Sequence, residues 1–267
     1  YLTTCENCGE HIPAQAFLWH KGDPAPYARI YHCAKCNESP GGERPVTQFD
    51  LDRLSAMGGD RMQRARAMQR VILNEDDHRA DVAEALENYL PRPLYALFTL
   101  INKIEGLNLP PDRLRLLHAL MISVFDAGNT LWPWPGGRAR PRQLGVPPQF
   151  RENNLWMALE SAAREWTQTG LEPVQVTHWP ELPTEGAGAG AICLFRGRVK
   201  ALAPLPTEVR PQAVLTVFPR PSQAFWTLSV LWAGWLWGPE AVLPMRNVLD
   251  RRRYDWFWMS QALTQVF

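Results

Sequence analysis

Apolar residues recur at three- and four-residue steps in two stretches of the chain, and this period predicts two amphipathic helices. The first stretch contains Leu94, Leu97, Phe98, Ile101 and Ile104. The second contains Leu114, Leu117, Leu120, Met121 and Val124. Pro110-Pro111-Asp112 favours a helix start before the second stretch, and Asn74, followed by three acidic residues, favours another start upstream.

The pattern changes in the last third of the chain. Residues 191–195 and 213–217 are short apolar runs bounded by Gly and Pro, which is typical of buried parallel strands. Residues 224–238 carry no charge but are too few to cross a membrane, which needs about 20 apolar residues. We therefore expect a buried helix there, with a packing role for its tryptophans, Trp226, Trp232, Trp235 and Trp237. This order of segments predicts an α/β sheet.

Composition adds few constraints on function. The net charge is +1, so a surface that binds nucleic acid must be a local one. Residues 132–149 are rich in Pro and Gly and predict an irregular surface loop. We expect a cytoplasmic protein with no membrane partner, because no signal peptide is recognisable.

Two Cys-x-x-Cys motifs near the start of the chain are the strongest local signal. Cys5 and Cys8 precede Cys33 and Cys36, and four thiolates in this pattern are typical of a tetrahedral zinc site. The spacer contains two alternating runs, residues 17–19 and 28–31, which predict a ribbon hairpin.

Disulfides or chance are the alternatives to zinc, and the unpaired Cys193 makes disulfides the weaker choice. A complete four-sulfur site has no open position, so we expect structural Zn²⁺ with no role for the nearby histidines, His11, His20 and His32. The basic residues around the ribbon are expected to be solvated or to contact phosphate: Lys21, Arg29, Lys35 and Arg44.

The order of these features resembles the zinc-ribbon-containing, adenine-specific bacterial DNA methyltransferases. The ribbon is followed by a helical block with Pro-Leu-Tyr-Ala-Leu at 93–97 and a further apolar run at 116–123. A Pro/Gly/Arg-rich loop, Glu-Asn-Asn-Leu-Trp at 152–156 and two short strands come next. The resemblance implies an α/β fold with an inserted zinc ribbon and helical block, and a partial Rossmann-like methyltransferase sheet. It places a four-cysteine zinc ribbon at 1–48, a recognition-like helical insertion at 49–170 and the catalytic-strand half at 171–267.

Two motifs of that family are missing or altered. The upstream Asp-Pro-Phe-x-Gly-Gly segment that binds S-adenosylmethionine is absent, and the place of Asp-Pro-Pro-Tyr is taken by Val217, Phe218, Pro219 and Arg220. Val217 has no side-chain acceptor for the target amine, and Arg220 replaces the ring that stacks on the base. We therefore expect no methyl transfer by this chain alone. S-adenosylmethionine would bind only if a cofactor half were supplied upstream or by a second chain.

DNA is the partner that the resemblance implies. The candidate contacts are two groups of arginines and an aromatic ring: Arg138, Arg140 and Arg142 in the loop, Arg251, Arg252 and Arg253 near the end, and Phe218 or Phe225 for stacking. The alternative is a non-enzymatic zinc-ribbon binding or scaffold module. His118 and Cys193 lie in apolar runs, and we expect a core histidine bonded to a backbone carbonyl and an inert core thiol.

Overall fold

A computed structural model describes most of the chain. The described residues are 1–36, 42–73, 78–137, 139–168, 174–183, 190–195, 197, 199–202, 205–209, 212–213, 222–249, 257, 260 and 264. The chain divides into two units. The first comprises Tyr1–Glu165 and Ser222–Arg251, and the second comprises Trp166–Pro221 and Arg252–Phe267. The fold is mixed α/β.

The first unit contains a five-stranded antiparallel sheet centred on its longest strand. Its strands are β1 (Leu2–Thr4), β2 (His11–His20), β3 (Ala28–Tyr31), β4 (Glu43–Pro45) and β5 (Gln149–Asn153). β2 pairs with β1, β3 and β5, while β4 pairs with β3. The predicted ribbon hairpin is confirmed as β2 and β3. β5 was not predicted, and its pairing with β2 joins a distant segment to the ribbon.

Helices form the rest of the first unit. They are α1 (Gln48–Ser55), α2 (Arg61–Gln69), α3 (Arg79–Leu86), α4 (Pro91–Glu105), α5 (Pro111–Ala127), α6 (Leu155–Gln168), which runs on into the second unit, and α7 (Gln223–Trp237). The two helices predicted from the apolar period are confirmed as α4 and α5, and α5 begins at the predicted prolines. Asn74 lies outside the described residues. None of the helices in the described part of the chain has the length and apolarity needed to cross a membrane.

The uncharged helix α7 is buried among the other helices, as predicted. Trp235 is fully buried, and its indole N–H donates to the backbone carbonyl of Ala67 at 3.2 Å. Its ring meets the edges or faces of Tyr89, Phe98 and Phe125 at centroid distances of 5.2, 5.5 and 5.3 Å. These geometries are favourable for aromatic pairs, so α7 is the centre of the helical core.

His118 is buried as predicted, but its partner differs from the prediction. The indole N–H of Trp237 donates to His118 Nδ1 at 3.1 Å, where a backbone carbonyl was expected. Burial lowers the pKa of His118, so the neutral ring is favoured and Nδ1 stays free to accept. Trp237 is therefore held at the surface end of α7 by a polar contact.

The second unit contains two parallel strands, β6 (Gln175–His178) and β7 (Ala191–Leu194). The predicted strand at 191–195 is confirmed as β7, but the prediction that it is buried is wrong. Ile192 is 49% exposed, and Cys193 is only partly buried, with its thiol 3.6 Å from the Glu181 carbonyl. The described residues of this unit provide no covering layer of the kind that parallel sheets need. The second predicted strand falls at 213–217, of which 214–217 lie outside the described residues.

Gly234 in α7 tests how tightly this core is packed. A Cβ at Gly234 would lie 2.7 Å from the carbonyl oxygen of Arg70 and 2.9 Å from Val71 Cγ2. Gly234→Ala should therefore lower the free energy of unfolding by about 1–3 kcal/mol, despite the better helix propensity of Ala. Urea denaturation measures this change. Gly106→Ala is the matched control, because its Cβ would meet nothing closer than 3.4 Å. An equal effect at both positions would contradict the close approach of α7 to Arg70.

Candidate metal centre

The four cysteines of the paired motifs converge at one point of the structure. All four Sγ atoms lie within 4.8 Å of one another. Cys5 and Cys36 are separated by 3.7 Å between sulfurs, and so are Cys8 and Cys33. Sulfurs at the corners of a tetrahedron with metal–sulfur bonds of ~2.3 Å are separated by about 3.8 Å. The cluster therefore has the dimensions of a four-sulfur metal site.

The first Cys-x-x-Cys motif forms a tight turn that directs backbone N–H groups at the first sulfur. The N–H of Cys5 donates to the Glu10 carbonyl and the N–H of Gly9 donates to the Cys5 carbonyl, both at 2.9 Å. Gly9 has a φ of 72°, which an L side chain rarely adopts, and this explains the glycine after Cys8. The N–H groups of Cys8 and Asn7 donate to the sulfur of Cys5.

The pKa values of two thiols of this cluster, Cys5 and Cys36, are shifted in opposite directions. Backbone N–H groups, that of Cys8 above all, lower the pKa of Cys5 to about 6. The hydrogen bond with Cys8, together with burial and the other neighbouring thiols, raises the pKa of Cys36 above its ordinary value. Four thiolates this close together repel one another unless a cation lies between them. A divalent metal would supply that charge and would deprotonate the coordinating thiols.

The histidines near the ribbon are not members of the sulfur cluster among the described residues. The His11 ring stacks on Phe49 with a centroid distance of 4.5 Å, and the His20 ring stacks on Tyr27 at 4.2 Å. His32 is exposed beside Cys33. The sulfurs alone complete a tetrahedral set, so the donors present fit a closed structural site.

Arg29 holds the cluster against the first helix, a role that the sequence did not indicate. It was expected at the surface, but its side chain is fully buried on β3. It donates to Asp50 Oδ2 at 3.0 Å and to Glu6 Oε1 at 3.2 Å. Glu6 lies between the first two cysteines, and Asp50 lies in α1. Arg29 therefore links the turn at residues 5–8 to α1, the helix that follows the ribbon.

A second buried arginine joins the helices to the sheet. Arg92 in α4 donates from Nε and Nη2 to the two carboxylate oxygens of Glu152 in β5, at 2.6 and 2.7 Å. The indole N–H of Trp19 in β2 donates to the same carboxylate at 2.9 Å. The Arg92 guanidinium also lies 4.4 Å from the centroid of Phe17. This ion pair joins the residue before the 93–97 segment to the first residue of the 152–156 segment.

The Pro/Gly/Arg-rich loop at 132–149 is only partly available for contact with a partner. Arg140 pairs with both carboxylate oxygens of Asp126, at 3.0 and 2.9 Å, and lies over the ring of Trp132. Arg142 is exposed, and its carbonyl accepts from the N–H of Ala224 at 2.9 Å.

Phe225, 62% exposed at the start of α7, lies beside these two arginines. Arg140, Arg142 and Phe225 line one small cavity of about 130 Å³. The structure thus brings two of the predicted loop arginines and one of the predicted stacking rings together.

The other candidates cannot be placed. The altered motif at Val217, Phe218, Pro219 and Arg220 lies outside the described residues, as do Arg138 and Arg251, Arg252 and Arg253. The chain matches no protein-family model, no curated protein and no solved structure.

Replacing Glu152 with glutamine tests the buried ion pair. Glu152→Gln leaves the Arg92 charge buried without its counter-ion, so the free energy of unfolding should fall by about 3–5 kcal/mol. Chemical denaturation gives this value. Glu160→Gln is the control, because Glu160 pairs with Arg164 at the surface and its loss should cost less than about 1 kcal/mol. Similar losses for both variants would contradict the role given to Glu152.

Proposed function

We propose that the four cysteines hold one structural Zn²⁺. The observation that supports this most directly is the 3.7 Å separation of the two sulfur pairs, which matches a tetrahedral four-thiolate site. Cys5 and Cys33 are almost completely buried, so a metal there would be shielded on one side. Four protein ligands leave no position for a reacting water, and the metal would serve folding alone.

We propose further that the chain is a DNA-binding module of the methyltransferase-like type, inactive in methyl transfer by itself. The support is the order of sequence features together with the cavity lined by Arg142 and Phe225. An exposed guanidinium can contact phosphate, and an exposed ring can stack on a base. This cavity lies at the first turn of α7, which begins soon after residues 217–220, the altered catalytic motif. A second chain, or a further part of the protein, would supply the cofactor site.

The second candidate function is a scaffold that zinc stabilises and that does not bind nucleic acid. It is favoured by the pairing of Arg140 with Asp126, which neutralises one of the two described loop arginines. Arg29 and Arg92 are likewise committed to internal carboxylates. In this case the ribbon and the helices would serve only to hold a fold or to bind another protein.

The zinc centre is tested by metal content. Purified protein should contain one zinc ion per chain, and Cys8→Ser should lose it because one of the four ligands is gone. Cys193→Ser is the matched control and should keep its zinc. Inductively coupled plasma mass spectrometry measures the stoichiometry, and thermal unfolding with and without a chelator measures the stabilisation. Full zinc content in Cys8→Ser would rule out the four-cysteine site.

Binding of labelled duplex DNA by the zinc-loaded protein separates the two candidate functions. If the loop contacts phosphate, Arg142→Ala should weaken binding and reduce the slope of log affinity against log salt by about 0.9. If the ring of Phe225 stacks on a base extruded from the duplex, Phe225→Ala should weaken binding with an unchanged slope. Arg113→Ala removes an exposed arginine from α5 and serves as the charge control. If the wild-type protein does not bind duplex DNA at low salt, the proposed duplex contact at Arg142 is wrong.

A further inference from the structure

Helices α2 and α4 lie side by side and leave a shallow groove of about 100 Å³ between them. Met62, Gln63 and Arg66 line it from α2, and Tyr95 and Asn102 line it from α4. Among the described residues no carboxylate lines the groove, although Asp and Glu make up 27 of the 267 residues of the chain. The groove is thus electrostatically suited to a negatively charged ligand.

The arginines of α2 and of its C-terminal cap divide into two groups by their contacts. Arg64 donates to the backbone carbonyls of Leu86 and Tyr89 at 2.9 and 3.0 Å, and Arg70 donates to that of Trp235 at 2.6 Å. These two arginines hold the helices together. Arg61 and Arg66 are exposed, and their side chains have no ion-pair partner in the described part of the chain. Of the two, only Arg66 lines the groove, so the fold does not use the one arginine charge that the groove presents.

The groove also exposes apolar and aromatic surface that a solvated helix face does not need. Met62 is 80% exposed and Tyr95 is 48% exposed, on facing helices. Gln63 carries a side-chain oxygen that is shielded from solvent and accepts no hydrogen bond within the described structure. A buried acceptor of this kind is costly unless a ligand supplies an N–H donor.

We propose that the groove between α2 and α4 binds a short unpaired stretch of DNA. The guanidinium group of Arg66 contacts a phosphate, and the ring of Tyr95 stacks on a base. The exocyclic amine of a base satisfies the oxygen of Gln63. Stacking requires an unpaired base, because a duplex hides the faces of its bases. This inference rests on the proposed DNA-binding function and adds a second contact, separate from the cavity at Arg142.

Fluorescence anisotropy with a labelled single strand of about 12 nucleotides, within the usual range of single-strand site sizes, tests the proposal on the full, zinc-loaded chain. Arg66→Ala should weaken binding and reduce the salt slope by about 0.7, the contribution of one phosphate contact in a single strand. Tyr95→Ala should weaken binding by about tenfold. Tyr95→Phe keeps the ring and should keep the affinity, while Arg113→Ala is the charge control. All these positions are exposed, so the thermal unfolding temperatures of the variants should stay unchanged.

Three results would overturn the proposal. One is single-strand binding that depends on Arg66 but not on the ring of Tyr95, because charge alone would then explain it. Another is displacement of the strand by a polyglutamate peptide together with indifference to Tyr95→Ala, which would indicate an acidic protein partner. The third is the absence of single-strand binding.

The experiments test the two proposed DNA contacts independently. If duplex DNA does not bind but the single strand does so through Tyr95, the proposed contact at Arg142 is wrong and the groove stands. If duplex binding depends on Arg142 and no groove variant changes single-strand binding, the groove proposal alone is wrong.

Discussion

The buried ion pair between Arg92 and Glu152 determines how the first unit is assembled. Arg92 lies in the first turn of α4, where the helix dipole disfavours a cation, and it is also desolvated. These costs are offset because both carboxylate oxygens of Glu152 accept from its guanidinium and one also accepts from Trp19. The contact requires that β5 lie beside β2 and that α4 begin over the sheet. The helices and the ribbon therefore form one unit.

The candidate metal centre depends on the same arrangement from the other side of the ribbon. β2 pairs with β5 along one edge and with β3 along the other, and β3 carries Arg29. Arg29 contacts Glu6 in the turn at residues 5–8 and Asp50 in α1, so order in the turn is coupled to order in the helix. Loss of the sulfur cluster would leave the buried guanidinium with fewer fixed partners. A metal at this site would thus stabilise more of the chain than its two turns.

The features that follow from local periodicity could be predicted from the sequence, and those that depend on distant pairing could not. α4, α5 and the ribbon hairpin follow from apolar spacing, and the four cysteines follow from their motif. β5 was missed because its inward positions are Phe150 and Glu152, and an acidic residue in an alternating pattern normally indicates the solvent side. The burial of Arg29 was missed because a basic residue in an alternating pattern also normally indicates the solvent side. Cys193 was assigned to the core because short apolar runs are usually buried, but β7 has no covering layer among the described residues.

The net charge of +1 conceals how unevenly the arginines are used. Several donate to carboxylates or to main-chain carbonyls within the first unit: Arg29, Arg64, Arg70, Arg92 and Arg140. Planar guanidinium groups suit such sites because they donate several hydrogen bonds in fixed directions. Among the exposed arginines of the described chain, only Arg142 and Arg66 line the two proposed DNA contacts. A surface that neutralises so few phosphates binds DNA weakly and with a shallow dependence on salt. Such binding suits the proposed module, which would act beside a part that supplies the cofactor site.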